Sequence, residues 1–254
     1  MNLWDIIVLE PILNVLLAMA GMLFNNFGLA IIVLTIIIRL AMTPLTNRQL
    51  KSSKAMTELQ PKIQELQRKY KRDQRKLQQE MAKLYKEAGF SPLGCLWPLL
   101  IQFPIWIGLY QAIMQAMAVN PEDLLALSRH LYQWGLVQQG IPARQNFLWL
   151  NLAYPDSYMV MAILTGGTMW LQQKMVTPPA TDPRQRQMRQ MTTLMMPLMF
   201  GLFTLQFPSG LALYWVVSNI VGIIIQYING GWGYLRAPAV QPVLVPQPKP
   251  TEKK

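Results

Sequence analysis

The 254-residue chain is poor in the residue types that usually carry chemistry. It has a single cysteine, Cys95, so no intrachain disulfide can form. It also has a single histidine, His130, and no zinc-type Cys/His cluster can be assembled. A Ser-His-Asp or Cys-His relay would have to run through His130, which lies in a stretch that reads as an extramembrane loop. Charge is scarce too, at 14% of residues against about 25% in an average soluble domain. Acidic residues are the scarcest, with 12 Asp and Glu against 23 Lys and Arg. What the chain has in quantity is apolar surface: 52% hydrophobic residues and a mean hydropathy of +0.21. These residues come in blocks of roughly 20, the length of a membrane span. Such blocks are too long and continuous for barrel strands, which need about 10 alternating residues. The fold expected is all-α and polytopic.

Five spans are expected, at 24–44, 92–117, 157–176, 191–207 and 211–228. The last two are separated only by Pro208, Ser209 and Gly210, a turn at the membrane surface. Residues 1–23 begin MNLWDIIVLEP, with acids instead of the basic start of a secretory signal. Pro11 interrupts this segment and Trp4 suits the interface, so residues 3–22 are read as an interfacial helix leading into the first span. The alternative is an extra span.

The charges orient these spans. The segment 45–91 holds twelve Lys and Arg, the connection 177–190 holds Arg184, Arg186 and Arg189, and the tail 229–254 ends in basic residues. The connection 118–156 holds only Arg129 and Arg144, against Glu122, Asp123 and Asp156. The positive-inside rule therefore predicts an N-out, C-in chain. Within 45–91, Leu59, Ile63, Leu66 and Tyr70 repeat at helical spacing, and so do Leu77, Met81, Leu84 and Ala88. Lys71-Arg72-Asp73 separates the two runs, giving a cytoplasmic antiparallel helical hairpin in which Pro61 kinks or begins the first helix. The Pro-rich tail 229–254 reads as disordered, basic and cytoplasmic.

Polar residues inside the spans are few. The first offers Thr35 and Arg39, four apart on one face. The second offers Gln102 and, one face over, Gln111, with Pro98 and Pro104 as candidate kinks. The fifth offers a stripe of Trp215, Ser218, Asn219, Gly222 and Gln226. Arg39 is the costly one, since a charge in a span costs roughly 2.5–3.5 kcal/mol on insertion scales. It could snorkel to the nearby headgroups. Ser218 and Asn219 equally suit interhelical hydrogen bonding, and the methionines suit core filling or an adaptable surface. No Asp or Glu lies in spans 1, 2, 4 or 5, so a carboxylate proton relay and an intramembrane ion pair are both excluded. Polar stripes on three spans instead suggest a shared hydrophilic hollow.

Three stretches carry a family resemblance: TIIIRLAMTPLTNRQLKSSKAM, SPLGCLWPLLIQFPIWIGLYQAI and FPSGLALYWVVSNIVGIIIQ. With ELQPKIQELQRKYK between the first two, they are similar in order to the YidC family of membrane protein insertases. The likeness is to a short form, without a large outer domain. It implies that Arg39 is the groove arginine, with Thr35 one turn before it. Gln102, Trp215 and Asn219 fall at the family's LLIQ, LYW and SN positions, and Pro98 at its first span-2 proline. The activity implied is insertion and folding of integral membrane proteins, with no bond chemistry, cofactor, metal or small-molecule substrate. Partners implied are nascent membrane proteins with acidic outer segments and the lipid bilayer, with a Sec translocon and the ribosome as further candidates. The location implied is the bacterial inner membrane. A small transporter is disfavoured by the absence of an inverted repeat. A scaffold that holds partners without inserting them stays open at this point.

Overall fold

The computed structural model describes residues 2–71, 73–87, 97–117, 121–177 and 183–235. Its order is a π-helical turn Asp5–Leu9 running into α1 (Glu10–Met22), then α2 (Phe27–Ala41), α3 (Thr43–Lys69), α4 (Gln74–Glu87), α5 (Trp97–Ala116), α6 (Pro121–Ser128) and α7 (Gly135–Gln139). A small antiparallel hairpin, β1 (Asn146–Phe147) and β2 (Leu150–Asn151), precedes α8 (Val160–Val176). The chain continues through α9 (Pro183–Gln190), π-helical Met191–Met195, α10 (Met196–Thr204) and α11 (Ser209–Gly230).

α11 organises the rest. Its buried residues run almost without break from Ser209 to Ser218, and it packs against α2 on one side and α8 on the other. α8 also carries α10, where Gly201 approaches the backbone of Ala162 and Gly166 closely enough that a Cβ would lie 3.1 Å from the Ala162 carbonyl. α5 packs against the N-terminal helix as well as α11. Among the described residues, Asp5–Met22 and Ser209–Gly230 are long and apolar enough to cross a membrane, and Phe27–Ala41 is a shorter apolar helix.

The N-terminal helix is less superficial than an interfacial reading suggests. Leu13, Leu16, Leu17 and Ala20 are fully buried, and α1 packs on α7, α2 and α5. Its polar residues are spent on the loop after α5. The buried Asn14 amide donates to the carbonyls of Glu10 (2.8 Å) and His130 (2.7 Å), and its oxygen accepts the Tyr132 N–H (2.7 Å). The single histidine thus has a structural place, with Nδ1 3.3 Å from the Glu10 carboxylate. The indole of Trp4 is bonded to Gln111 of α5 at 2.7 Å.

From residue 121 on, the connection that follows α5 is more than a loop, with two short helices and a hairpin. Helix ends leave backbone groups unpaired, and this segment satisfies several of them. The Ser209 and Gly210 N–H groups that open α11 donate to Tyr154 (2.8 Å) and Leu152 (3.1 Å), and the Arg144 N–H donates to Asn25 before α2 (3.0 Å). Phe147 fills the space that a side chain at Gly28 would need. Asp156 caps the start of α8, accepting the Met161 N–H at 2.8 Å. Four non-glycine residues here take left-handed backbone: Phe24, Asn25, Leu148 and Met159, all with φ of 55–58°. Such backbone costs about 1–3 kcal/mol at each residue that is not glycine, with asparagine the most tolerant.

Of the stripe residues of 45–91, Ile63 of α3 is buried, and Leu66, Tyr70, Leu77, Met81 and Leu84 are half-buried. Pro61 neither ends nor begins α3, which runs from Thr43 as a near-continuation of α2. On exposed α4 the Lys83 ammonium donates to Glu80 at 2.8 Å, which holds that carboxyl below its usual value. At the chain's other end, order extends beyond 228. α11 continues to Gly230, Trp232 meets the Tyr227 ring edge-on at 5.1 Å, and a 3-10 turn covers Gly233–Leu235. The expectation of disorder from 229 is therefore corrected up to 235, because these ring contacts give the segment something to pack on. Residues 236–254, like 88–96 with Cys95, lie outside the described residues.

Candidate functional site

α2 positions Arg39 by ordinary helix rules. The Asn26 side chain caps its start, accepting the Leu29 N–H at 3.0 Å, and an unbroken apolar run carries the helix to its last turn. A cation in that turn is favourably placed at the negative end of the helix dipole. Thr35 and Thr43 flank it, and both bond backbone carbonyls of α2. The Thr35 hydroxyl donates to the Ile31 carbonyl (2.6 Å) and that of Thr43 to the Arg39 carbonyl (3.1 Å).

The Arg39 guanidinium reaches across to α11. Its Nε donates to the Ser218 hydroxyl at 2.6 Å, leaving Arg39 half-buried. One turn earlier on the same face of α11, the Tyr214 hydroxyl accepts from Gln102 Nε2 of α5, again at 2.6 Å. Arg39, Ser218, Tyr214 and Gln102 therefore form one polar row across three helices. No carboxylate lies within ion-pair distance of Arg39 among the described residues. A guanidinium has five N–H donors, and the bond to Ser218 leaves the terminal ones for another acceptor.

Tyr214 was not among the site residues read from the sequence. The signal was present, since 214 and 218 are four apart and so share a face. The stripe read from the sequence ran through the adjacent Trp215 instead.

The other expected residues lie elsewhere. Trp215 sits in an aromatic cluster, edge-on to Trp106 (6.0 Å), Phe200 (5.5 Å) and Phe207 (6.0 Å). Its indole N–H is buried without a hydrogen-bond partner among the described residues. Asn219 turns to α8, donating to the Thr168 hydroxyl at 3.2 Å. Gly222, next on that side, leaves the room that the Gln172 side chain occupies. The Asn219 bond joins α11 to α8, the contact expected of interhelical glue, the plainer of the two readings of Asn219. Gln226 is buried with its amide oxygen unpartnered. Pro104 lies within α5, while Pro98 stands beside residues outside the described set.

No group of three or more metal-ligating side chains occurs among the described residues. The polar row holds an alcohol, a phenol, an amide and a guanidinium, groups that can hydrogen-bond a polar ligand and attract an anion.

Comparison with known proteins follows the same lines. A family model described as "60Kd inner membrane protein" matches residues 19–231. A membrane protein insertase YidC of Actinobacillus pleuropneumoniae serotype 3 is 39% identical over 225 residues, 89% of this chain and 37% of that protein. The membrane protein insertase MisCA of Bacillus subtilis is 35% identical over 234 residues, 91% of this chain and 80% of that protein. The chain thus spans little more than a third of the YidC relative, and most of the MisCA one. A crystal structure of an active YidC insertase with its first transmembrane domain resolved is similar at a TM-score of 0.55 and 26% identity, over 81% of this chain and 42% of that one.

Proposed function

The chain belongs to the 60Kd inner membrane protein family, which contains the YidC insertases, and we propose that it inserts and helps fold integral membrane proteins. Membership places it among bacterial membrane proteins. In our reading α2, α5, α8, the helix from Met191 through α10, and α11 are the five spans, N-out and C-in, α9 belongs to the cytoplasmic connection, and α3 with α4 is the cytoplasmic hairpin. The N-terminal helix is assigned to the outer interface because it packs along α7, a helix of the connection that the charges put outside.

The polar row is read as one wall of a hydrophilic groove open to cytoplasm and lipid. The observation that carries this is the half-buried Arg39, tethered to Ser218 and facing no carboxylate among the described residues. Removing a charge from water without an opposite charge is costly. An arginine held this way is suited to an acidic residue that comes and goes. The groove arginine draws the acidic outer segment of an incoming chain, and water there lowers the cost of carrying it part-way across. The substrate's apolar span then leaves along α5 and α10 into lipid. The exposed methionines 191, 195, 196 and 199 line that path with adaptable side chains. Thr35, Gln102, Trp215 and Asn219 support the groove walls. Nascent membrane proteins and lipid are the partners in this reading, and a Sec translocon and the ribosome are candidates for coupling. No bond-making step belongs to it.

The test is insertion by the purified chain in liposomes without other proteins. A substrate with an acidic outer tail is expected to insert, and Arg39→Ala to slow it at least about tenfold, the worth of ~1.4 kcal/mol. Arg39→Lys should retain part of the rate, and a neutral-tailed substrate should be little affected. Full activity of Arg39→Ala on acidic tails would remove the attraction model. Substrate binding without any insertion by the unaltered chain would favour a scaffold.

A further inference from the structure

Phe24, Leu148 and Met159 combine two costs. Each takes left-handed backbone, with φ of 58, 55 and 57°, where glycine or asparagine is the usual occupant. Each also holds a large apolar side chain in the open, 87%, 76% and 57% exposed. Packing within the chain does not offset the strain, because these side chains scarcely pack. Phe24 lies in the turn between the N-terminal helix and α2, Leu148 stands at the tip of the β1–β2 hairpin, and Met159 precedes α8.

The three tips share one end of the molecule. Asn25 beside Phe24 is bonded to Arg144 just before the hairpin. Trp149 next to Leu148 lines one cleft with Tyr154 and Tyr158, and Tyr158 adjoins Met159. This is the end at which α2, α8 and α11 begin. Trp149, Tyr154 and Tyr158 are exposed aromatics with polar edges, the residues that settle at headgroup level. The nearby carboxylate of Asp156 is buried, and its oxygens accept the N–H groups of Tyr158 (3.2 Å) and Met161 (2.8 Å). From Met159 the exposed apolar surface continues onto Val160, Ile163 and Leu164 of α8.

We propose that Phe24, Leu148 and Met159 are wedges that insert into the outer leaflet of the bilayer, just below the headgroups. The occupant is lipid, because the tips continue the lipid-facing surface of α8, are ringed by interfacial aromatics and present no accessible carboxylate. The wedges fix the depth of the cap formed by residues 141–158, so the outer face of the protein lies in the membrane surface and does not project above it. The inference rests on the reading of α8 as a span.

Nitroxide labels at positions 24, 148 and 159, one at a time in a Cys95→Ser background, test it in liposomes. Each label should be more accessible to oxygen than to a water-soluble nickel reagent, at a depth of about 5–10 Å. Labels at Ile163 and at exposed Gln78 of α4 give the lipid and water references. A water-accessible label at 148 beside a lipid-accessible one at 163 overturns the wedges alone. Water access at 163 overturns the span reading. Leu148→Asn, which suits the backbone, should leave the melting temperature in detergent unchanged or higher while moving a label at Tyr158 toward water. A drop of several degrees would instead make Leu148 a packing residue and sink the proposal.

Discussion

The two sides of α11 use similar residues for opposite ends. Toward α2 and α5 it presents Tyr214 and Ser218, which meet Gln102 and the cation Arg39. Toward α8 it presents Asn219 and Gly222, which meet Thr168 and Gln172. The second side is neutral, and its Asn219 is matched by Thr168 of α8. The first side has a charge in excess, and only something outside the described residues can neutralise it. Under the proposed function one helix would be both a fixed joint and a working surface, and the difference lies in a single guanidinium.

The comparison can be broken by separating activity from stability. Arg39→Ala should have the largest effect on acidic-tailed insertion, as above, with the melting temperature in detergent nearly unchanged. A large fall in melting temperature would move Arg39 to the structural side. Ser218→Ala comes next: the arginine loses its tether but keeps its charge. A loss of about fivefold is expected on acidic tails only, the worth of one net hydrogen bond of about 1 kcal/mol. Equal loss on neutral tails would show that the row does not act through Arg39. Asn219→Ala should behave in the opposite sense, retaining insertion and losing stability. A double-mutant cycle with Thr168→Ala should give a coupling of about 0.6 kcal/mol, the usual worth of such a bond between membrane helices. Negligible coupling together with lost insertion would return Asn219 to the groove.

The smallest effect is expected far from α11, at Lys83→Met. The lowered Glu80 carboxyl adds stability above its unfolded value, and this is lost as pH falls through the lowered one. The raised Lys83 ammonium adds stability below its unfolded value, lost as pH rises through the raised one. The pair lies at the surface, with Lys83 exposed and Glu80 partly so, where such pairs contribute little. Melting curves at pH 7 and pH 3 should therefore match those of the unaltered chain.

Much of this architecture was legible from residue order. Apolar block length located α2, α5, α8, α10 and α11 to within a few residues, because a run of that length has few ways to satisfy its backbone in lipid. Arg39 was legible for the same reason, being an expense that needs a cause. Less legible were the contacts of neutral polar residues. Thr35, Asn219 and Gln111 each have a bond partner, but helical spacing names only the face of a residue's own helix. It does not say which neighbour stands opposite. The ordered cap of residues 141–158 was missed because its order comes from capping the ends of distant helices, as Ser209 and Gly210 do with Tyr154 and Leu152.

Sequence alone determined the class of the protein, its helical segments and the isolation of one cation among apolar residues, since composition and periodicity follow directly from the solvent each residue must face. Tertiary structure decided which polar residues work together. It drew Tyr214 into the row with Arg39 and Gln102, and gave Asn219 to α8 and Trp215 to the aromatic cluster. The physical reason is that a hydrogen bond needs its partner within about 3 Å, and only the packing of whole helices brings residues 39 and 218, or 102 and 214, that close.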